Sequence, residues 1–172
     1  MAVVWKISVV FLSVICLSQA VTCPPLWSKY GWYCYRFFGQ RKSWHDAEKH
    51  CRGFFTSKSQ GHLASILDSS TNDLLLELWK TSLISIQSEG DRVWIGLNDQ
   101  VTEGAFRWIS DGTQSFSGAR VPPDVWLPGQ PDDGGEGEHC VDFWNDSGEI
   151  GWNDENCARE NAFICMMYIG SD

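Results

Sequence analysis

The sequence predicts an α+β domain held by three disulfides, and three observations carry that reading. Two stretches open with a serine-x-x-aspartate cap and continue as an apolar stripe at helical spacing. Several short aromatic or β-branched runs, bounded by Gly, Asn, Asp or Ser, read as strands. Of seven cysteines, six remain once an N-terminal leader is set aside, and an even count in a secreted chain implies three bridges.

The leader comes first. Lys6 precedes the apolar run Ile7 to Leu17, and Ser18-Gln19-Ala20 fits a small-x-small cleavage site, so residues 1–20 read as a secretory signal peptide. That run is too short to span a bilayer, which takes about 20 apolar residues, and no later stretch approaches it. Cleavage leaves residues 21–172 as one domain and removes Cys16. It also removes Lys6, taking the formal net charge from −9 to −10. So acidic a chain, without a Lys/Arg cluster, repels phosphate backbones and excludes nucleic acid as a partner. Acidic excess fits cation binding and also keeps a secreted protein soluble.

Within the mature chain, Trp32 to Phe38 is aromatic-rich and reads as a strand next to Cys23. Ser43-x-x-Asp46 caps a first helix with Trp44, Ala47 and Cys51 on one face, and Ser70-x-x-Asp73 caps a second with Leu74, Leu75, Leu78 and Trp79 as its stripe. His62 to Ile66 between them is short and apolar enough for a strand. Arg92 to Asn98 carries Val93-Trp94-Ile95-Gly96-Leu97, a strand buried on both faces whose glycine admits another backbone. From Asn98 to Trp126 the chain is rich in Gly, Ser, Thr, Pro and Asp apart from Ala105–Ile109, a loop long enough to require a function. The last strands are Cys140–Trp144, Ile150–Trp152 and Asn161–Met167. His45, His50 and His62 lack metal-ligand spacing and read as surface or core histidines. The chain shows no repeat, heptad, collagen-like segment or stalk.

Candidate chemistry concentrates between Gln130 and Cys157. Gln130-Pro131-Asp132, Glu138 before Cys140, and Trp152-Asn153-Asp154 before Cys157 crowd oxygen donors into two short segments. Calcium takes six to eight oxygens from carboxylates, amides and backbone carbonyls. Gln130, Asp132, Glu138, Asn153 and Asp154 could supply them if a Cys140–Cys157 bond held the segments together; the other reading is a solvated acidic loop.

Those motifs, together with Trp94-Ile95-Gly96-Leu97 and the six cysteines, resemble the C-type lectin domain family in its long form over nearly the whole mature chain. The resemblance implies a C-type lectin fold with two helices, antiparallel sheets and a long calcium-binding loop region. It implies the pairs Cys23–Cys34, Cys51–Cys165 and Cys140–Cys157. It assigns Ca2+ to Gln130, Asp132, Glu138, Asn153 and Asp154, with two sugar hydroxyls as further ligands, and it implies a cis Gln130–Pro131 bond. Gln-Pro-Asp is the family's arrangement for galactose and N-acetylgalactosamine, whereas Glu-Pro-Asn favours mannose-type diols.

Two positions depart from the family pattern. Gly134-Gly135 stands where galactose binders carry a stacking Trp; Trp126 reads as structural and Trp144 as a weaker stacking candidate. The resemblance also implies an auxiliary calcium on Asp99, Glu103 and Asp133, with His139 replacing its last acid and weakening it. Asn145-Asp146-Ser147 is a glycosylation sequon whose use the sequence leaves open.

The expected function is a secreted, extracellular, calcium-dependent lectin for glycans ending in galactose or N-acetylgalactosamine. Such a lectin would agglutinate cells or recognise microbes, as a non-covalent homo-oligomer and without membrane insertion. The likeness extends to the shell-matrix perlucin type, so the alternative is a biomineral matrix protein. No Ser/His/Asp or Cys/His set is recognisable, and the chain is not expected to be an enzyme.

Overall fold

Two side-chain caps start the two helices that flank the sheet. The computed structural model describes residues 22–82, 91–110, 125–135 and 137–170; the leader and residues 111–124 of the long loop lie outside them. Helix α1, Trp44–Cys51, begins where Ser43 Oγ accepts the Asp46 N–H at 3.2 Å. It buries Trp44, Ala47 and Cys51, the expected face, together with Glu48. Helix α2, Ser69–Lys80, starts one residue before the expected Ser70 cap. Asp68 caps it instead, its Oδ1 accepting both Thr71 N and Thr71 Oγ1 at 2.7 Å. An ionised carboxylate outcompetes a hydroxyl there because it also meets the positive end of the helix dipole. Leu75 and Trp79 are buried, and Leu74 and Leu78 pack partly buried against the same core.

Among the described residues eight strands form one sheet: β1 Ser28–Tyr30, β2 Tyr33–Lys42, β3 His62–Leu63, β4 Arg92–Asn98, β5 Arg107–Trp108, β6 Cys140–Asp146, β7 Glu149–Glu155 and β8 Asn161–Tyr168. The order is β1-β2-β8-β4-β6-β7, with β3 added to β8 and β5 to β4. The expectation of antiparallel sheets needs one correction. β4 and β8 run parallel, Val93 beside Ala162 and Trp94 beside Phe163, so the sheet is mixed. Parallel neighbours need a long crossover, and the loop region together with the β6–β7 hairpin supplies it.

The three disulfides pair as the resemblance implied, Cys23–Cys34, Cys51–Cys165 and Cys140–Cys157. Cys51–Cys165 ties α1 to β8 across 114 residues, a closure that chain-entropy models value at about 4–5 kcal/mol. Gly96 is required by close approach, because a Cβ there would meet the Leu63 carbonyl oxygen at 2.7 Å. Three buried tryptophans tie elements together through their N–H groups: Trp44 Nε1 donates to the Ile95 carbonyl at 2.8 Å, Trp94 Nε1 to that of Lys42 at 3.0 Å and Trp152 Nε1 to Asn72 Oδ1 at 2.9 Å, whereas the buried Trp108 Nε1 has no partner. Trp126 packs edge-on against Trp152 at 5.7 Å and meets Phe106 at 5.2 Å, a structural role as expected. Among the described residues no helix is long and apolar enough to cross a membrane.

Candidate functional site

Strands β6 and β7 are paired so that Cys140 faces Glu155, Val141 faces Asp154 and Asp142 faces Asn153. The Cys140–Cys157 bond, with Cα atoms 5.2 Å apart, closes the end of that ladder. This brings Asn153 and Asp154 under the loop 125–139, whose Gln130–Pro131 bond is cis, as expected.

The loop is folded around carboxylates. Asp154 Oδ1 accepts the Asp132 N–H at 3.1 Å and its Oδ2 accepts the Asp133 N–H at 2.9 Å. Glu138 Oε2 accepts the Gly134 N–H at 3.1 Å, while Asp133 Oδ1 accepts the Glu138 N–H at 2.9 Å. Oxygens of Asp132, Glu138 and Asp154 lie within 4.8 Å of one another. The Gln130 amide completes the group, its nitrogen oriented to donate to the Asp154 and Asp132 carboxylates and its oxygen 3.2 Å from Asn153 Oδ1. All five residues singled out in the sequence therefore converge.

Three like charges at this spacing resist ionisation together. The Glu138 carboxyl is pushed up to about 7 by burial first and then by Glu155, Asp154 and Asp132, against the Gly134 N–H that lowers it. Asp154 is raised by burial and by Asp132 despite its backbone hydrogen bonds. Hard oxygen donors crowded this way fit a divalent cation such as calcium, whose charge would favour the ionised forms.

A second layer, which sequence reasoning missed, supports the first. Asp142 is fully buried; its Oδ1 accepts from Asn153 Nδ2 at 3.3 Å and its Oδ2 from Asn161 Nδ2 at 2.9 Å. Asn153 Nδ2 also donates to the Asp154 carbonyl at 2.6 Å, so its amide nitrogen is anchored inward and its oxygen faces Gln130. Arg92 Nη1 lies 3.3 Å from Asp142 and 3.1 Å from Glu155, and Arg159 Nη1 meets Glu155 at 3.0 Å. Burial outweighs Arg92 and holds the Asp142 carboxyl well above its ordinary range. An acid flanked by Val141 and Phe143 in the apolar run Cys140–Trp144 is the available signal.

The remaining candidates sort differently. Asp99 and Glu103 do come together, with His139 beside them, while Asp133 Oδ1 accepts the Glu138 N–H. Gly134 is pressed into the carboxylates: a Cβ there would lie 3.1 Å from Glu138 Oε2 and 3.3 Å from Asp132 Oδ1. Trp144, the weaker stacking candidate, has the Arg92 guanidinium over its ring at 4.1 Å. Asn145 of the sequon is 7% exposed and its Oδ1 accepts the Gly148 N–H at 3.0 Å within the β6–β7 turn. His62 Nδ1 pairs with Glu48 at 2.8 Å, His45 Nε2 meets Gln100 Oε1 at 2.8 Å, and His50 is enclosed by Phe38, Phe54 and Phe163, which matches their reading as surface or core groups.

Comparison with known proteins points the same way. Residues 40–167 match the lectin C-type domain family. The chain is 39% identical over 150 residues to the alpha-N-acetylgalactosamine-specific lectin of Patiria pectinifera, covering 84% of this chain and 82% of that protein. It is 34% identical to a C-type lectin mannose-binding isoform of Oxyuranus scutellatus, covering 87% and 85%. Among solved structures, the C-type lectin CEL-I from Cucumaria echinata superposes with a TM-score of 0.70 at 29% identity, covering 86% of this chain and 99% of that one.

Proposed function

Taking as premise that the chain belongs to the C-type lectin domain family, we propose that it is a secreted, calcium-dependent lectin for glycans ending in galactose or N-acetylgalactosamine. The observation that carries this is the convergence of Gln130, Asp132, Glu138, Asn153 and Asp154 in one oxygen-rich cluster. Bound calcium would offer coordination positions to two neighbouring sugar hydroxyls. Ionised Asp132, Glu138 and Asp154 can only accept hydrogen bonds, here from those hydroxyls, whereas Gln130 can also donate through its amide nitrogen, that of Asn153 being held inward. Amide before Pro131 and acid after it fixes the direction of those bonds, and that order is the one the family uses for galactose-type diols. The N-acetylgalactosamine-specific relative supports the same choice.

The absence of a stacking ring at Gly134 leaves discrimination to hydrogen-bond direction, so preference over mannose should be modest. A monosaccharide held by one cation and a few hydrogen bonds should bind with a Kd of about 1 mM. Cell agglutination would then rest on several linked sites, supplied by a non-covalent oligomer because all six mature cysteines are internally bridged.

Retention on immobilised galactose, N-acetylgalactosamine and mannose, with calcium and with EDTA, tests the proposal. Calcium-dependent retention with galactose-type sugars eluting last is expected. Undiminished retention in EDTA, or a strong preference for mannose, would overturn it. Adsorption to calcium carbonate that survives excess galactose would favour a biomineral matrix role instead.

A further inference from the structure

His139 follows Glu138 directly, yet it serves a different cluster. Its Nδ1 lies 3.3 Å from Asp99 Oδ1 and 3.1 Å from Glu103 Oε2. These three ligand-type atoms all fall within 4.8 Å of one another. Asp99 is 2% exposed, and its Oδ1 is buried without a hydrogen-bond partner, as is His139 Nδ1. The other Asp99 oxygen accepts the Gly104 N–H at 2.7 Å, which fixes the carboxylate with Oδ1 turned toward the imidazole. Asp99 N donates to the His139 carbonyl at 3.1 Å and so locks the two segments together. Glu103 is exposed and His139 half-buried, leaving one side open to solvent.

We infer that Asp99, Glu103 and His139 form a binding site for zinc or a similar borderline-soft divalent metal, separate from the calcium cluster. The donor set decides the class. An imidazole nitrogen with two carboxylate oxygens suits zinc, nickel or copper, whereas calcium prefers an all-oxygen shell. Spacing agrees, since zinc bonds of about 2.0–2.2 Å at tetrahedral angles set ligand atoms about 3.3–3.6 Å apart. Calcium needs six to eight oxygens at about 2.3–2.6 Å, and this cluster presents an imidazole nitrogen within 3.3 Å of both carboxylates instead of a further oxygen. Three protein ligands leave the fourth zinc position, on the exposed side, to water or an incoming donor.

Titration of the full-length secreted protein with zinc chloride in millimolar calcium, followed by calorimetry, tests this. One zinc per chain is expected at micromolar concentration. His139→Gln and Glu103→Gln, at a half-buried and an exposed side chain, should each weaken binding by more than about tenfold. Asp154→Ala, which removes a proposed calcium ligand, should leave zinc binding in place, so failure of the calcium reading and failure of this one are told apart. His139→Glu should weaken zinc and let calcium compete. No saturable zinc binding would overturn the site. So would unchanged affinity in both glutamine variants, which would send the metal to the other histidines. Displacement of zinc by equimolar calcium in the wild-type protein would overturn it too.

Discussion

Glu138 and His139 are neighbours on one strand lead-in, and they enter two clusters whose charge is balanced in opposite ways. Around Glu138, three carboxylates converge and are held apart only by backbone N–H groups and two amides, and the acids respond by clinging to protons. Around His139, an imidazole stands between two carboxylates and offers a nitrogen where the first cluster has only oxygens. The lesson is that cation class is set by one donor, not by the amount of acid. The supporting residues differ as well: the first cluster rests on the buried Asp142–Arg92–Glu155 network, the second on a loop backbone pinned through Asp99.

The largest effect should come from Asp154→Ala. It removes a carboxylate of the first cluster and frees the Asp132 and Asp133 N–H groups at once. Calcium affinity should fall by about 100-fold or more, because ligand charge count sets affinity in such sites, and galactose retention should vanish while the disulfides keep the fold. Calcium titration calorimetry beside column retention measures both. Retained sugar binding would show that the cluster is not where sugar binds.

Asp142→Asn should act next in size. Asp142 touches no proposed ligand atom; it orients Asn153 through its amide nitrogen. Losing such an outer partner costs about 10-fold in metal affinity. The decisive readout is a double-mutant cycle with Asn153→Ala, in which the Asp142 change should add no further loss of calcium affinity. Additive losses would mean that Asp142 acts only through stability.

A smaller and more selective effect is expected from Gln130→Glu combined with Asp132→Asn. The pair keeps the number of ligands and reverses the amide and acid across Pro131, so competition assays should show the mannose-to-galactose ratio rising by about tenfold or less, within the range available to a few redirected hydrogen bonds. An unchanged ratio would place selectivity elsewhere in the loop.

How much of this could be read from the chain depends on the kind of signal. Both helices, β4 and the five clustered oxygen donors are readable because caps, apolar periodicity and short motifs are local patterns, whereas the pairing of the six cysteines follows only from the family resemblance, since six allow 15 pairings. The start of α2 was misplaced because Asp68 and Ser70 are both competent caps and only geometry chooses between them. The parallel β4–β8 pair was hidden because pairing direction depends on the crossover path, not on the strand's own residues. The His139 cluster was half seen. Asp99 and Glu103 were named, but His139 was read as a lost acid, since its approach to both carboxylates depends on two loops meeting. Asp142 was missed because a charge in an apolar strand reads as an exposed position until its partners Arg92, Asn153 and Asn161 are in place.

The smallest effect is on stability against pH, and it separates the calcium-free protein from the loaded one. Glu138, Asp154 and Asp142 all have folded-state carboxyls raised above their ordinary values, Glu138 to about 7. A raised carboxyl binds more protons in the folded than in the unfolded state, so its contribution is fully present below the unfolded value and is lost as pH rises through the folded one. Calcium-free protein should therefore show a falling Tm as pH rises from about 5 to about 7.5, the span between the ordinary glutamate range and just above the Glu138 value. Calcium requires the ionised acids, so its affinity should rise across the same span and flatten or reverse the trend. At 10 to 100 times Kd, calcium should stabilise by about 1.4–2.7 kcal/mol, or about 2–4 °C in Tm for each kcal/mol in a domain of this size. Thermal melts at several pH values, with and without calcium, check both slopes. A calcium-free Tm that climbs between pH 5 and 7 would mean that the cluster sheds its protons without strain and has no electrostatic need for a cation.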